Sequence, residues 1–423
     1  MLLLRNIAQL VTLRGGNVPR TGAAMSDLGI IENGALLIHG DRIVWVGSTK
    51  DIPVRDPSTR YQTLDGIGLD LIALPGFVDA HTHPIFSGMS AQDYEAGIQG
   101  KSREELAAAG GGIAACVARL RAANVNQLLD SIERQFRQFL SHGTTTIEAK
   151  SGFGLNWEEE IQYLQMLAAL RSRSRLEIVP TFLGAHPFSA DTAGSRADYI
   201  REIAEVMIPR AAQEGLAQFC DVFCEENQFT AEEARSILLA ARKAGLGLRV
   251  HADRQTRSGG AKLAAELGAR SADHLEWIED ADIEVLKRAG TVATLLPGTS
   301  FNTGSMHYAP ARKLIAAGVP VALASNYNPL SCFTMNMQIV LSIACTQMRM
   351  TPAEAITAAT VNGAYSIGMA DRLGTLEENK QADIVLMDLS DYRQLPYFFG
   401  INHCVVTIKK GNIVINRLEQ HPY

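Results

Sequence analysis

The chain has little of what would mark a disulfide scaffold, a nucleic-acid binder or a membrane protein. It has six cysteines in 423 residues, Cys116, Cys220, Cys224, Cys332, Cys345 and Cys404. They are too sparse for a disulfide framework and have no zinc-finger spacing, so they read as reduced, small apolar side chains. Only Cys220 and Cys224 are close in sequence, and their apolar neighbours place them inside a strand. There is no Lys/Arg-rich tract, and 39 basic against 45 acidic residues give a net charge of −6. That balance provides no basic surface and argues against a nucleic-acid partner. No apolar run reaches the roughly 18 residues of a membrane span. The start, Met1 to Arg5, is too short and wrongly flanked for a signal peptide, so no membrane association and a cytoplasmic location are expected. Phosphate cradles are also missing: Gly97-Ile98-Gln99-Gly100-Lys101-Ser102 has too few residues between its glycines for a P-loop. No local motif marks a serine or cysteine nucleophile.

What remains is a globular composition, 47% hydrophobic and 20% charged. The length suits one large α/β barrel with an accessory domain, or two or three ordinary domains. Residues 1 to about 70 read as short strands, with a hairpin at Ala35–Gly47 turning on Gly40-Asp41. The far end does the same at 382–388 and at 405–415, the latter broken by Gly411-Asn412. Strand-rich ends predict that the two termini, 1–70 and 370–423, meet in one small β-sandwich-like domain around a central domain over 71–369.

The central part alternates strand, loop and helix. Strand ends are expected at His81/His83, Thr144–Lys150, Ile178–His186, Phe219–Glu226, Leu248–Asp253, Ser271–Glu276, Thr291–Pro297 and Pro320–Asn326. Helix starts are signalled by Thr230-Ala231-Glu232-Glu233, by Asn156–Glu159 and by Thr351-Pro352-Ala353-Glu354. Eight such alternations predict a (β/α)₈ TIM-like barrel with its chemistry at the C-terminal strand ends. Gly110-Gly111-Gly112 reads equally as a loop approaching a ligand by its backbone or as a helix break.

That topology gives the histidines a meaning. In Leu74-Pro75-Gly76-Phe77-Val78-Asp79-Ala80-His81-Thr82-His83 an apolar run passes a Pro-Gly kink and delivers two histidines one residue apart. The period of a strand points both imidazoles the same way, half of a site for zinc or iron. His186, His251 and His274 fall at other strand ends, so four strands would aim five imidazoles at one mouth. The remaining His39, His142, His307, His403 and His421 show no convergence. A hydrolytic mononuclear site usually adds an Asp that ligates and takes a proton. The last strand presents Asn326 there, whose amide oxygen can ligate but has no basic lone pair.

Several segments resemble the amidohydrolase superfamily and, more narrowly, the imidazolonepropionase family within it. They are Pro-Gly-Phe-Val-Asp-Ala-His-Thr-His at 75–83, Gly-Thr-Thr-Thr-Ile-Glu-Ala-Lys-Ser-Gly-Phe-Gly-Leu at 143–155 and Pro-Thr-Phe-Leu-Gly-Ala-His at 180–186. Asp-Val-Phe-Cys-Glu at 221–225, Val-His-Ala-Asp at 250–253, Ser-Ala-Asp-His-Leu-Glu at 271–276 and Leu-Pro-Tyr-Phe-Phe-Gly-Ile-Asn at 395–402 extend the likeness over nearly the whole chain. The resemblance implies a homodimer that opens 4-imidazolone-5-propanoate to N-formimino-L-glutamate with one divalent metal ion, zinc or iron. It implies His81, His83 and His251 as ligands, with Asn326 where the family has Asp. It further implies that His186 holds the substrate ring and that His274 polarises the carbonyl or steadies the attacking water. No carboxylated lysine is implied at Lys150.

The departures gather in the implied substrate pocket. Ser90 stands where the family has an Arg that grips the propionate, Arg103 where it has Tyr, Phe153 where it has a Tyr hydroxyl, and Arg254 where it has Glu or Gln. Asn328 belongs with the same substrate-binding positions. Such clustered change suggests a paralogue that takes a related ring, such as a hydantoin or 2-thiohydantoin propionate, with Arg103 and Arg254 as a relocated anion clamp. Asn326 alone also admits an inactive or substrate-trapping form.

Overall fold

The computed structural model describes residues 1–53, 60–187 and 195–418, without the side chains of Arg103 and Glu104. Two sheets organise it. The first is built from both ends of the chain: β1 (Leu2–Val11), β2 (Ile30–His39), β3 (Arg42–Ser48), β4 (Gln62–Asp65) and β5 (Ile72–Pro75). The second is the barrel: β6 (Phe77–Thr82), β7 (Thr144–Lys150), β8 (Glu177–Ala185), β9 (Phe219–Cys224), β10 (Gly247–Ala252), β11 (Ser271–His274), β12 (Val292–Leu295) and β13 (Val321–Leu323). The chain then returns to the first sheet with β14 (Ile384–Met387), β15 (Cys404–Lys409) and β16 (Asn412–Asn416).

The barrel strands run in sequence order, each parallel to the next, and match the eight expected strand ends. The first and last strands meet through a parallel bridge between Thr82 and Tyr327. At that junction the Asn326 amide donates to the His81 carbonyl at 3.1 Å and the His83 amide to the Tyr327 carbonyl at 2.8 Å. Helices follow the strands with the caps their sequences announce. Thr230 and Glu233 form a reciprocal capping box, as do Thr351 and Glu354, and Asn156 accepts from the Glu159 amide.

The terminal sheet runs β16-β15-β14-β5-β1-β2-β3, with β4 pairing β1 beside β5. The two hairpins turn at Gly40-Asp41 and Lys410-Gly411. Alternation along its strands serves two cores. Ala73, Ile384 and Leu386 face one cluster with Leu4, Leu36 and Ile408, whereas Ile72, Leu74, Val385 and Met387 face the barrel's helices and strands. The sheet is thereby fastened to the barrel. The sequence run ahead of the His81/His83 strand belongs here: β5 pairs with β1 and β14, and the chain changes sheets at Gly76. A Cβ at Gly76 would lie 2.3 Å from the Thr145 side chain, so only glycine permits the crossing. All six cysteines are free, and Cys220 and Cys224 lie within β9.

Candidate active site

His81 and His83 leave β6, His186 follows β8, His251 lies in β10 and His274 ends β11. Their rings form one cluster. Centroids are 4.4 Å apart for His81–His251, 5.2 Å for His81–His83, 5.3 Å for His251–His274 and 5.0 Å for the stacked His83–His186 pair. Four of the five are buried and His186 is partly so.

Carboxylates and carbonyls below the rings set how the nitrogens face. His81 Nδ1 lies 2.7 Å from Asp273 Oδ2, so its proton sits there and Nε2 turns a lone pair upward, 3.3 Å from His83 Nε2. His251 Nδ1 lies 3.0 Å from Asp221 Oδ2. His186 Nδ1 donates to the Gly152 carbonyl at 3.0 Å, leaving its Nε2 as an acceptor. Burial, then neighbouring positive charge, holds His81, His83 and His274 well below the usual imidazole range, and the same causes bring His186 to about 3. They are neutral imidazoles at pH 7.

A second layer carries charge. Lys150 Nζ bonds Glu148 Oε1 and Asp221 Oδ2, each at 2.7 Å, and Arg249 Nη2 bonds Asp273 Oδ2 at 2.9 Å, all fully buried. Three carboxylates thus face two cations directly beneath the imidazole cluster, an excess of negative charge that favours a cation above. The nitrogen geometry agrees. His81, His251 and His274, and separately His83, His186 and His251, each present ligand atoms within 4.8 Å of one another. His83 Nδ1 and both nitrogens of His274 are buried without a hydrogen-bond partner. The donor set and its carboxylate supports fit a divalent metal ion.

Three of these strand ends are held in a left-handed backbone that side chains seldom adopt: Asp253 at φ 50°, His274 at 85° with Leu275 at 69°, and Asn326 at 54°. Asn326 lies just past β13, 2% exposed, on the wall of the histidine cavity. Its Nδ2 donates to Thr299 Oγ1 at 2.7 Å. Asn328 donates to the Asn326 carbonyl at 2.5 Å and accepts from the amides of Leu330 and Ser331, which ties the turn after β13.

Above the cluster opens a cavity of about 720 Å³. Phe153 lines it, edge-on to His186 with centroids 5.3 Å apart. Arg254 lines the other side, its Nη2 3.3 Å from Ser331 Oγ and its guanidinium over the Phe223 ring. Ser90 is not among the lining residues; its hydroxyl accepts from the Asp93 amide and caps the helix Ala91–Ile98. Arg103 opens the helix Arg103–Ala108, and its side chain lies outside the described residues. Of the glycine run, Gly112 reaches the cavity, starts the helix Gly112–Arg121 and donates to Asp93 Oδ2 at 3.0 Å, so the run is both break and wall.

The structure also brings in residues that the sequence reading left out. His307 was expected to stand apart, yet it lines the cavity, where its Nε2 meets the Glu276 carbonyl at 2.7 Å and its ring stacks on Trp277 at 4.2 Å. His421 lies outside the described residues. Glu276, two residues past β11, places Oε1 3.5 Å from His274 Nδ1, and burial pushes its carboxyl up to about 7. Its position after Asp-His-Leu was the only signal in the sequence.

A parallel eight-stranded barrel with imidazoles gathered over buried carboxylates at its C-terminal mouth defines a class, the amidohydrolases. The chain belongs to that family, which residues 72–414 match. Within it, the chain is 46% identical over 414 residues to a protein named imidazolonepropionase from Solibacter usitatus, covering 98% of each chain. It is 42% identical over 418 residues to another of that name from Geobacillus kaustophilus, again covering 98% of each. The imidazolonepropionases are therefore the branch of the amidohydrolase family in which this chain lies. Solved structures share the fold at lower identity. An adenosine deaminase from Xanthomonas campestris with bound zinc superimposes with a TM-score of 0.74 at 19% identity, covering 98% of this chain and 93% of that one. Atrazine chlorohydrolase TrzN from Arthrobacter aurescens complexed with zinc does so with 0.70 at 16% identity, covering 98% and 95%.

Proposed function

We propose that this chain hydrolyses a ring amide bond of a five-membered cyclic amide of the imidazolone propanoate kind, opening it to an N-formimino amino acid. The single observation that supports this most is the five-imidazole cluster over Asp273 and Asp221 in a chain 46% identical to an imidazolonepropionase along its length. One divalent ion, zinc or iron, would be held by His81, His83 and His251, with the Asn326 carboxamide oxygen in the fourth position. When bound it would polarise the acyl oxygen and acidify a water.

The chain's own groups do the rest. His186 offers the Nε2 acceptor to a ring N–H, because Gly152 has taken its Nδ1 proton. His274, with Glu276 beside it, orients the attacking water. Arg254, backed by Ser331 and Asn328, meets a carboxylate tail. Phe153 packs on the ring's edge without a hydroxyl to donate.

A related ring, a hydantoin or 2-thiohydantoin propionate, is the second reading. It is motivated by Arg254 in the wall and by Asn326 having no basic lone pair. An inactive, substrate-retaining form is the third, on the same Asn326. The chain would act in the cytoplasm as a homodimer; no described helix is long and apolar enough to cross a membrane. The exposed run Tyr397, Phe399 and Ile401 offers a face for the second copy, which sedimentation of a Phe399→Asp variant tests. The function is checked by metal analysis of the purified protein together with turnover of imidazolone, hydantoin and 2-thiohydantoin rings carrying and lacking the propionate. Ring opening of none of them, with metal present, overturns the enzymatic reading.

A further inference from the structure

Behind the cavity wall, Glu160 is a buried carboxylate to which the proposed chemistry gives no role. It lies in the first turns of the helix Trp157–Arg173 and is fully enclosed. Its oxygens accept from the backbone amides of Gly152, at 3.1 Å to Oε1 and 3.0 Å to Oε2, and of Gly154, at 2.6 Å. Burial raises its carboxyl above the usual carboxylate range, against hydrogen bonds from Ser151, Gly154, Gly152 and Leu155 that lower it.

The loop so gripped is bent at both ends. Gly152 has φ +111° and Leu155, a branched residue, has φ 63°. A non-glycine residue in that region is strained and persists only where surrounding contacts hold it. Space is also closed: a Cβ on Gly154 would lie 2.6 Å from the Glu160 amide nitrogen. The loop carries the two groups that shape the ring-binding wall, the Gly152 carbonyl that fixes the His186 tautomer and the Phe153 side chain that packs on His186.

We infer that Glu160 is a positioning residue: by clamping the amides of Gly152 and Gly154 it holds a strained loop whose carbonyl sets the protonated nitrogen of His186 and whose Phe153 sets the ring's edge. It touches no substrate and acts only through the loop. The kinetic side of this inference rests on the ring-opening reading; the tautomer side does not.

The test uses the full-length protein with ¹⁵N-labelled histidine. In Glu160→Gln the side-chain oxygen can still accept from Gly154 but the NH2 group stands against the Gly152 amide, so long-range ¹H–¹⁵N spectra should show His186 losing its single Nδ1–H pattern. KM for the ring should rise about fivefold, the worth of one neutral hydrogen bond, with kcat changed less than KM. Leu155→Gly, which removes the strain, should restore part of the KM in the Glu160→Gln background, a rescue that a merely packing role would not give. If Glu160→Gln does not fold, Glu160→Asp carries the test: its carboxylate, one methylene shorter, cannot reach both loop amides, and the same loss of the His186 pattern is expected. An unchanged His186 pattern and unchanged KM in the folded variants overturn the inference. Absence of ring turnover by the unmodified protein counts against the ring-opening reading alone, and the spectra then decide the role of Glu160.

Discussion

Asn326 turns its Nδ2 to Thr299 Oγ1 at 2.7 Å, so its carboxamide oxygen is the end left for the histidine cavity. An acid at that position would supply a base that the amide does not.

Asn326→Asp should therefore raise ring-opening turnover by about 10²-fold or more, the lower end of what general-base assistance supplies. Steady-state rates on the ring panel check it. An unchanged rate would remove this position from proton transfer. Thr299→Val should weaken zinc binding by about tenfold in the Asn326 protein, the lower end of the effect of removing a group that orients a ligand. The loss should be smaller in the Asn326→Asp background, because the two oxygens of a carboxylate are equivalent, and calorimetric titration with zinc reads both.

Arg254→Gln should raise KM for rings with a carboxylate tail by about 10- to 100-fold, the range for a hydrogen bond to a charged group. Rings without the tail should be little affected. Equal losses on both sets would place Arg254 in wall packing over Phe223 instead.

Acidification should destabilise the metal-free protein. His186 is brought from the ordinary imidazole range to about 3, and His81, His83 and His274 lie well below it. Below pH ~6.5 the unfolded chain takes up protons that the folded cluster refuses, so stability is full above that value and is lost as pH falls toward the folded value. Each such histidine contributes a slope of up to about 1.4 kcal/mol per pH unit in that window. Urea midpoints at pH 7 and pH 5 after chelation should differ in this direction, and His186→Gln should flatten the slope.

Lys150→Met should cost about 3–5 kcal/mol, because it leaves Glu148 and Asp221 buried without their shared cation. Chemical denaturation measures it. A neutral result would mean that the remaining charges, with Arg249 among them, rearrange to neutralise the pair.

The barrel could be read from the sequence because its strands repeat one local rule, a short apolar run ending in polar residues, and because capping residues mark the helices between them. His81, His83, His186, His251 and His274 were visible for the same reason: position at a strand end fixes where a side chain points. His307 was not, since it lies beyond β12 and the helix Pro297–Asn302, on a loop whose path no periodicity encodes. Ser90 misled in the opposite way, because a serine ahead of Asp93 is as well suited to cap a helix as to face a ligand. The sheet change at Gly76 was hidden because the residues on either side are equally apolar. Glu160 is one of three acids in a helix's first turn, and only the fold shows that the third points inward to the 152–154 amides.

The bridge from Thr82 to Tyr327 has a consequence for how the protein comes into being. The earliest and the latest barrel strands are stitched together at the very residues proposed to grip the ion, so about 240 residues must be laid down after His83 before Asn326 can reach it. A nascent or partly zipped chain has imidazoles but no completed pocket, and loading with metal belongs after the seam closes.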